Sequence, residues 1–125
     1  MIPYLNLECI HEPIRKELDQ IYQDVMESQW FIQGKYLNMF EEEFADYCGQ
    51  KECIGVGNGL DAIRLILQAM GIGPGDEVIV PANTFIATVL AITYVGATPI
   101  MVDADLETYN IDLNLIEERI TSRTK

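Results

Sequence analysis

The sequence predicts an α/β fold in which a mostly parallel sheet is flanked by helices. Three observations carry this reading. From residue 52 onward, short apolar runs that fit strands alternate with longer runs at helical spacing. Glycines cluster where a strand hands over to a helix, in ECIGVGNGLDA over 52–62. The helical run TFIATVLAITYV over 84–95 carries no charge at all, so its outer side needs cover as well as its inner one. Strands separated by helices of about this length imply right-handed crossovers and therefore parallel neighbours.

The chain opens on an extended arm. From Pro13 to Ser28 the apolar residues Ile14, Leu18, Ile21, Tyr22, Val25 and Met26 recur at helical spacing, with Pro13 suited to a first helical position. A loop, WFIQGKY, leads to a second helix that places Phe40, Phe44 and Tyr47 on one face and closes at Gly49. Glu41, Glu42 and Glu43 read as its solvated face, in the early turns that the helix dipole favours for acids. A strand near Cys53–Val56, a helix over Leu60–Met70, a turn GIGPGD and a strand over Glu77–Val80 follow. Asn83 or Thr84 is placed to cap the helix of 84–95, which precedes a strand over Thr98–Val102. The last helix, Leu113–Ile120, takes Asp112 as its N-cap. The sequence stops at SRTK, after that helix and before any further strand, so it reads as the front part of a larger enzyme.

Composition narrows the partners. With 125 residues and 49% apolar content the chain has material for about one small core. A formal charge of -12, from 20 acidic and 8 basic residues, argues against nucleic acid and anionic membrane surfaces. No apolar stretch is long enough to span a membrane, and the acidic start lacks the basic leader of a secretory signal, so the expected compartment is the cytoplasm. Cys9, Cys48 and Cys53 are odd in number and form no CxxC pair, which fits reduced thiols. His11 is the only histidine and the cysteines lack zinc spacing, so no metal site is expected.

Two segments point to a ligand. Gly55, Gly57 and Gly59 precede a helix start, where backbone N–H groups and the helix dipole suit a phosphate. Gly57, Gly59 and Ala62 also satisfy GxGxxA, the dinucleotide fingerprint, but the next strand ends VIVPAN without the acid that would hold a ribose. An NAD-dependent or nucleotide-sugar oxidoreductase is therefore the second reading, and a non-catalytic binding module the third. In PANTFIAT, Phe85 lies at the carboxyl edge of the sheet, where an aromatic ring can stack on a flat cofactor. Asp103 and Asp105 in MVDAD are either acid–base candidates or turn caps.

The strings FIQGKYLNMFEEEFADYCG, ECIGVGNGLDAIRLIL, GIGPGDEVIVPANTFIATVLAI and GATPIMVDADLETYNID resemble, in order and spacing, the front third of the sugar-nucleotide aminotransferases of the DegT/DnrJ/StrS type. These are fold type I enzymes dependent on pyridoxal 5'-phosphate. The resemblance implies that residues 37–125 are the first part of the cofactor-binding large domain, behind an arm, helix and loop over 1–36. It implies transfer of an amino group from an amino acid, usually glutamate, to a keto-sugar linked to a nucleoside diphosphate, in a homodimer with active sites at the interface. Gly59, Leu60 and Asp61 match the turn that holds the cofactor phosphate, with Leu60 standing where many relatives have threonine. Phe85 matches the ring-stacking aromatic, and Phe31 and Gly34 match a loop implicated in sugar-nucleotide binding. The GNGLDA turn looks most like members acting on dTDP-linked 3-keto-6-deoxy sugars. The family's Schiff-base lysine matches none of Lys16, Lys35, Lys51 and Lys125, so no catalytic residue is assigned and the stretch alone is expected to be inactive.

Overall fold

A computed structural model describes residues 4–125; the first three residues of the expected arm lie outside the described residues. The chain forms two compact units that divide between Gly55 and Val56.

The first unit is helical. Contrary to the expected extended arm, helix begins early: α1 spans Glu8–His11, a 3-10 turn covers Glu12–Ile14, and α2 runs over Arg15–Ser28. Asn6 accounts for this, because its side chain accepts the Glu8 N–H at 3.0 Å and starts the turn locally. On α2 the apolar residues Leu18, Ile21, Tyr22 and Met26 are exposed. Helix α3 covers Lys35–Tyr47, where Phe40 stacks on Phe44 at 5.4 Å and Phe44 meets Tyr47 at 6.2 Å. Gly49 closes α3 with a positive φ of 64°, the Gly49 and Gln50 N–H groups bonding back to Asp46 and Ala45.

Two expectations change here. Glu41 is not simply solvated, since its carboxylate accepts the Gly55 N–H at 2.6 Å and holds that stretch of chain against α3. At Gly55 an added Cβ would come within 2.5 Å of Leu37, so this glycine serves close packing on α3. The expected strand at 53–56 is irregular chain, because a strand exists only through ladder bonds to a neighbour and none pairs with it among the described residues.

The second unit carries the α/β pattern. Helix α4 spans Gly59–Ala69, β1 Glu77–Pro81, α5 Ile86–Tyr94 and β2 Thr98–Val102. β1 and β2 pair in parallel, from Glu77 opposite Thr98 to Pro81 opposite Val102. Leu67, Ile72, Val80, Ile92 and Ala97 form the core between α4, α5 and the sheet. Both helices end in the same device, a glycine at positive φ followed by an apolar residue. The Ile72 N–H returns to the Leu67 carbonyl and the Ala97 N–H to that of Ile92, which draws Ile72 and Ala97 into the core. Gly96 is required twice over, by its φ of 82° and because a Cβ there would lie 2.9 Å from Pro74.

Three further details differ from expectation. Phe85, rather than Asn83 or Thr84, occupies the N-cap of α5, and no side chain caps that helix; Asn83 and Thr84 spend their polar groups elsewhere. Residues 113–120 form two 3-10 turns instead of an α-helix, although Asp112 does cap the first by accepting the Asn114 N–H at 2.9 Å. Each turn is short and mostly exposed, so little burial opposes the tighter winding. Finally, SRTK returns to the sheet: Thr124 bridges Glu77 in parallel, on the side of β1 away from β2. The alternation thus continues to the last residues.

Glu77 organises that return. Its N–H donates to the Arg123 carbonyl and its own carbonyl accepts from Lys125. Its carboxylate is buried and accepts from the Thr121 hydroxyl and the Arg123 guanidinium. The Thr121 bond, followed by the Arg123 contacts, holds this carboxyl below the ordinary value of 4.5. A depressed folded value contributes stability that is complete above the ordinary value and is lost as pH falls through the depressed one. Thermal melts on the acid side are therefore expected to fall less steeply for Glu77→Gln than for the parent. The slope that remains comes from Asp24 and Asp105, whose carboxyls are also lowered, chiefly by bonds from Tyr36 and Thr108.

Candidate functional site

The start of α4 is fixed by a reciprocal cap. Asn58 sits in extended conformation, accepts the Asp61 N–H at 2.9 Å and donates back to the Asp61 carboxylate at 3.0 Å. Arg64 neutralises that carboxylate, with its guanidinium at 3.1 Å, and reaches on to Gln68. Of the three predicted turn residues, Asp61 thus has its N–H engaged by Asn58. The N–H groups of Gly59 and Leu60 have no acceptor among the described residues. Space above Gly59 is open, with nothing within 4 Å of an added Cβ.

Phe85 meets this helix start on one open groove, lined by Asn58, Gly59, Leu60, Ile63, Phe85, Ala87 and Thr88. Phe85 is 79% exposed, so it is available to a ligand and contributes little to the core. Extended backbone at Phe85, with φ -63° and ψ 141°, separates it from the helix that follows. Thr84 and Thr88 share a hydroxyl–hydroxyl bond of 2.9 Å, and the Thr88 N–H donates to the Phe85 carbonyl. The groove is thus equipped with two free backbone donors at a helix N-terminus and one bare aromatic face. No lining side chain is charged, so an anion here is held by N–H groups and the dipole. That donor set fits a phosphate carrying a flat heteroaromatic ring.

Phe31 and Gly34 belong to the first unit. They line a pocket with Asp24, Trp30 and Tyr36, in which the Tyr36 hydroxyl donates to Asp24 at 2.5 Å. Trp30 closes the loop on itself by donating to the Ile32 carbonyl at 2.6 Å. This leaves the Phe31 side chain exposed. Asp105 settles as a turn cap: its carboxylate accepts the N–H groups of Glu107 and Thr108 and the Thr108 hydroxyl. Among the described residues, no group of His, Cys, Asp and Glu is placed to hold a metal ion, and no helix is long and apolar enough to cross a membrane.

Residues 12–125 match the DegT/DnrJ/EryC1/StrS aminotransferase family. The chain belongs to this family. It is 57% identical over its whole length to the dTDP-3-amino-3,6-dideoxy-alpha-D-galactopyranose transaminase of Aneurinibacillus thermoaerophilus, of which it covers 34%. Its fold superposes on S. venezuelae DesV, solved with a ketimine intermediate, with a TM-score of 0.93 and 43% identity over 99% of this chain and 33% of that one. NtdA of Bacillus subtilis, solved with bound PMP, gives 0.89 and 37% over 99% and 29%. The chain therefore spans about a third of the length of these relatives. Family membership makes pyridoxal phosphate, whose amine form is PMP, the group that the groove is to be compared with, and the free donors and bare ring suit it. The GxGxxA match therefore stands in a chain of an aminotransferase family.

Reading the sequence missed Asn58, whose N-x-x-D spacing to Asp61 is the signal of a reciprocal cap. Thr88 and the Asn83 contact described below had no local signal. Because Asn58 both caps α4 and leaves two donors free, Asn58→Ala is expected to cost about 0.5–2 kcal/mol of stability, read from urea unfolding followed by circular dichroism.

Proposed function

We propose that the chain is the N-terminal part of a pyridoxal-phosphate-dependent aminotransferase that moves an amino group from an amino acid, glutamate in the first instance, to a nucleotide-linked keto-sugar. The observation that carries this is the pairing, on one groove, of the free Gly59 and Leu60 N–H groups with the exposed Phe85 ring. The proposed sugar is a dTDP-linked 3-keto-6-deoxyhexose, in line with the transaminase of A. thermoaerophilus that shares 57% of its residues.

When bound, the cofactor supplies an electron sink and carries the amino group between donor and acceptor. Residues of this chain do the holding. The Gly59 and Leu60 N–H groups bind the phosphate, and Asn58 keeps their helix start in shape. Asp61 contributes through that cap rather than by its own N–H, while Arg64 keeps its negative charge from opposing the phosphate. Phe85 stacks on the ring and fixes its plane. Phe31 and Gly34 take part in sugar-nucleotide binding from the first unit. Residues 37–125 make the first part of the cofactor domain, and the uncharged α5, with Ile86 and Tyr94 exposed, favours a homodimer. Three free thiols fit the cytoplasm.

The test uses the complete protein titrated with pyridoxal phosphate. Phe85→Ala is expected to weaken cofactor binding about three- to tenfold, the scale of one aromatic stacking contact, while the urea midpoint stays put because the residue is 79% exposed. A parent protein that binds no pyridoxal phosphate overturns the reading. The 125 residues alone are expected to show no transamination of a dTDP-keto-sugar, because none of their four lysines matches the family's cofactor-bearing one; turnover by them would refute that assignment.

A further inference from the structure

The four residues between β1 and α5, 82–85, decide where the Phe85 ring lies. Ladder bonding continues one residue past β1, with the Ala82 N–H on the Val102 carbonyl at 2.8 Å. Helix α5 then begins at Ile86 without a side-chain cap. Over 83–85 the chain is held by neither ladder nor cap, and a long turn bond runs from the Thr84 N–H to the Pro81 carbonyl at 3.3 Å. One side chain there reaches far in sequence: the Asn83 amide donates to the Tyr109 carbonyl at 2.9 Å, across 26 residues.

What Asn83 grips is itself firmly built. Residues 103–112 leave the end of β2 as a narrow hairpin, with Ala104 bridging Ile111 and the Asp112 N–H on the Asp103 carbonyl. Its tip is tied by Asp105, whose carboxylate gathers two N–H groups and the Thr108 hydroxyl, and by the Asn110 carbonyl accepting the Asp105 N–H. Tyr109 adopts a φ of +57°, a region L-residues rarely occupy, and its N–H is bonded to the Asp105 carbonyl at 2.9 Å. The carbonyl that accepts from Asn83 thus belongs to a residue fixed on its other side.

We infer that Asn83 is a positioning residue: by hooking the turn onto the 103–112 hairpin it sets the plane of Phe85, two residues on, for the cofactor ring. It touches no ligand itself. The inference rests on the groove being the cofactor seat proposed above. On the helical side the Thr84–Thr88 hydroxyl bond and the Thr88 N–H to the Phe85 carbonyl complete the hold, so Phe85 is clamped between the hairpin and the first turn of α5.

The complete protein is studied as parent, Asn83→Ala and Asn83→Ser, with pyridoxal phosphate and, separately, inorganic phosphate as a competitor. Asn83→Ala is expected to raise the Kd for pyridoxal phosphate about three- to tenfold, the scale of one lost neutral hydrogen bond. The visible circular dichroism of the bound ring should fall, and competition by inorganic phosphate should stay unchanged because the start of α4 is untouched. Asn83→Ser, which keeps a donor on a shorter arm, should lie between the two. In the protein without cofactor, hydrogen exchange in the peptide 82–88 should quicken in Asn83→Ala while that of 59–69 does not. Equal Kd, equal dichroism and equal exchange in Asn83→Ala and the parent overturn the inference. So does a matching loss of phosphate affinity, which would mark general destabilisation. A parent that binds inorganic phosphate but no pyridoxal phosphate overturns the cofactor reading instead, and the exchange data then decide the mechanical link alone.

Discussion

The parallel ladder between β1 and β2 decides where everything else in the second unit can lie. Parallel strands cannot be joined by a tight turn, so α5 has to carry the chain back along the sheet, and its length is set by the five-residue strands it spans. Pairing Pro81 with Val102 brings the carboxyl ends of both strands to one edge. The segments that leave that edge, 82–85 and 103–112, are then neighbours by construction. Asn83 and the hairpin it grips meet for this reason, and open α/β sheets place their ligands at this edge for the same reason.

The opposite edge depends on Glu77. A buried carboxylate in the first position of β1 is costly unless it is bonded, and here Thr121 and Arg123 supply the bonds while the backbone on either side of Thr124 pairs with Glu77. Charge and ladder therefore act together to bring the last residues alongside β1. Burial is uneven between the units. The second unit holds the core of Val80, Ile92 and their neighbours, whereas among the described residues of the first only Ala45 is buried and the apolar face of α2 is exposed. Specific packing is thus strongest in the unit that presents the groove.

Helices α3 to α5, both strands and Gly49 at the end of α3 were legible in the sequence because each depends on short-range rules. Period, capping geometry and positive φ all act within a few residues. What was not legible depends on partners distant along the chain. Residues 53–56 have a strand's composition but no ladder neighbour among the described residues, and composition alone does not make a strand. Glu41 looked like one acid in a solvated row until Gly55 was found on it, 14 residues away. Asn83 looked like a helix cap, a local role, yet its amide is taken by Tyr109. The proposed site was legible in the same uneven way. Gly59 and Phe85 stood out through glycine spacing and an aromatic at a strand end, whereas Leu60 came only with the family resemblance. The division of labour among Asn58, Asp61 and Arg64 needed the side-chain geometry.

The proposed anion seat looks paradoxical in a chain with a formal charge of -12, and the local geometry bears on this. Exposed charges are screened over roughly 8–10 Å at ordinary salt, so the distant acids contribute little field at the groove. What matters is the first turn of α4. There the carboxylate of Asp61 is the one negative group in the turn, and it is turned to account twice, as partner of Asn58 in the cap and as partner of Arg64. Its charge is matched at 3.1 Å, while the Gly59 and Leu60 N–H groups, without acceptors among the described residues, keep the helix's partial positive charge of about half an elementary charge. In the proposed reading, selectivity for a phosphate on a flat ring rests on two free donors and one bare aromatic face in one groove, and not on a basic patch that would attract any polyanion.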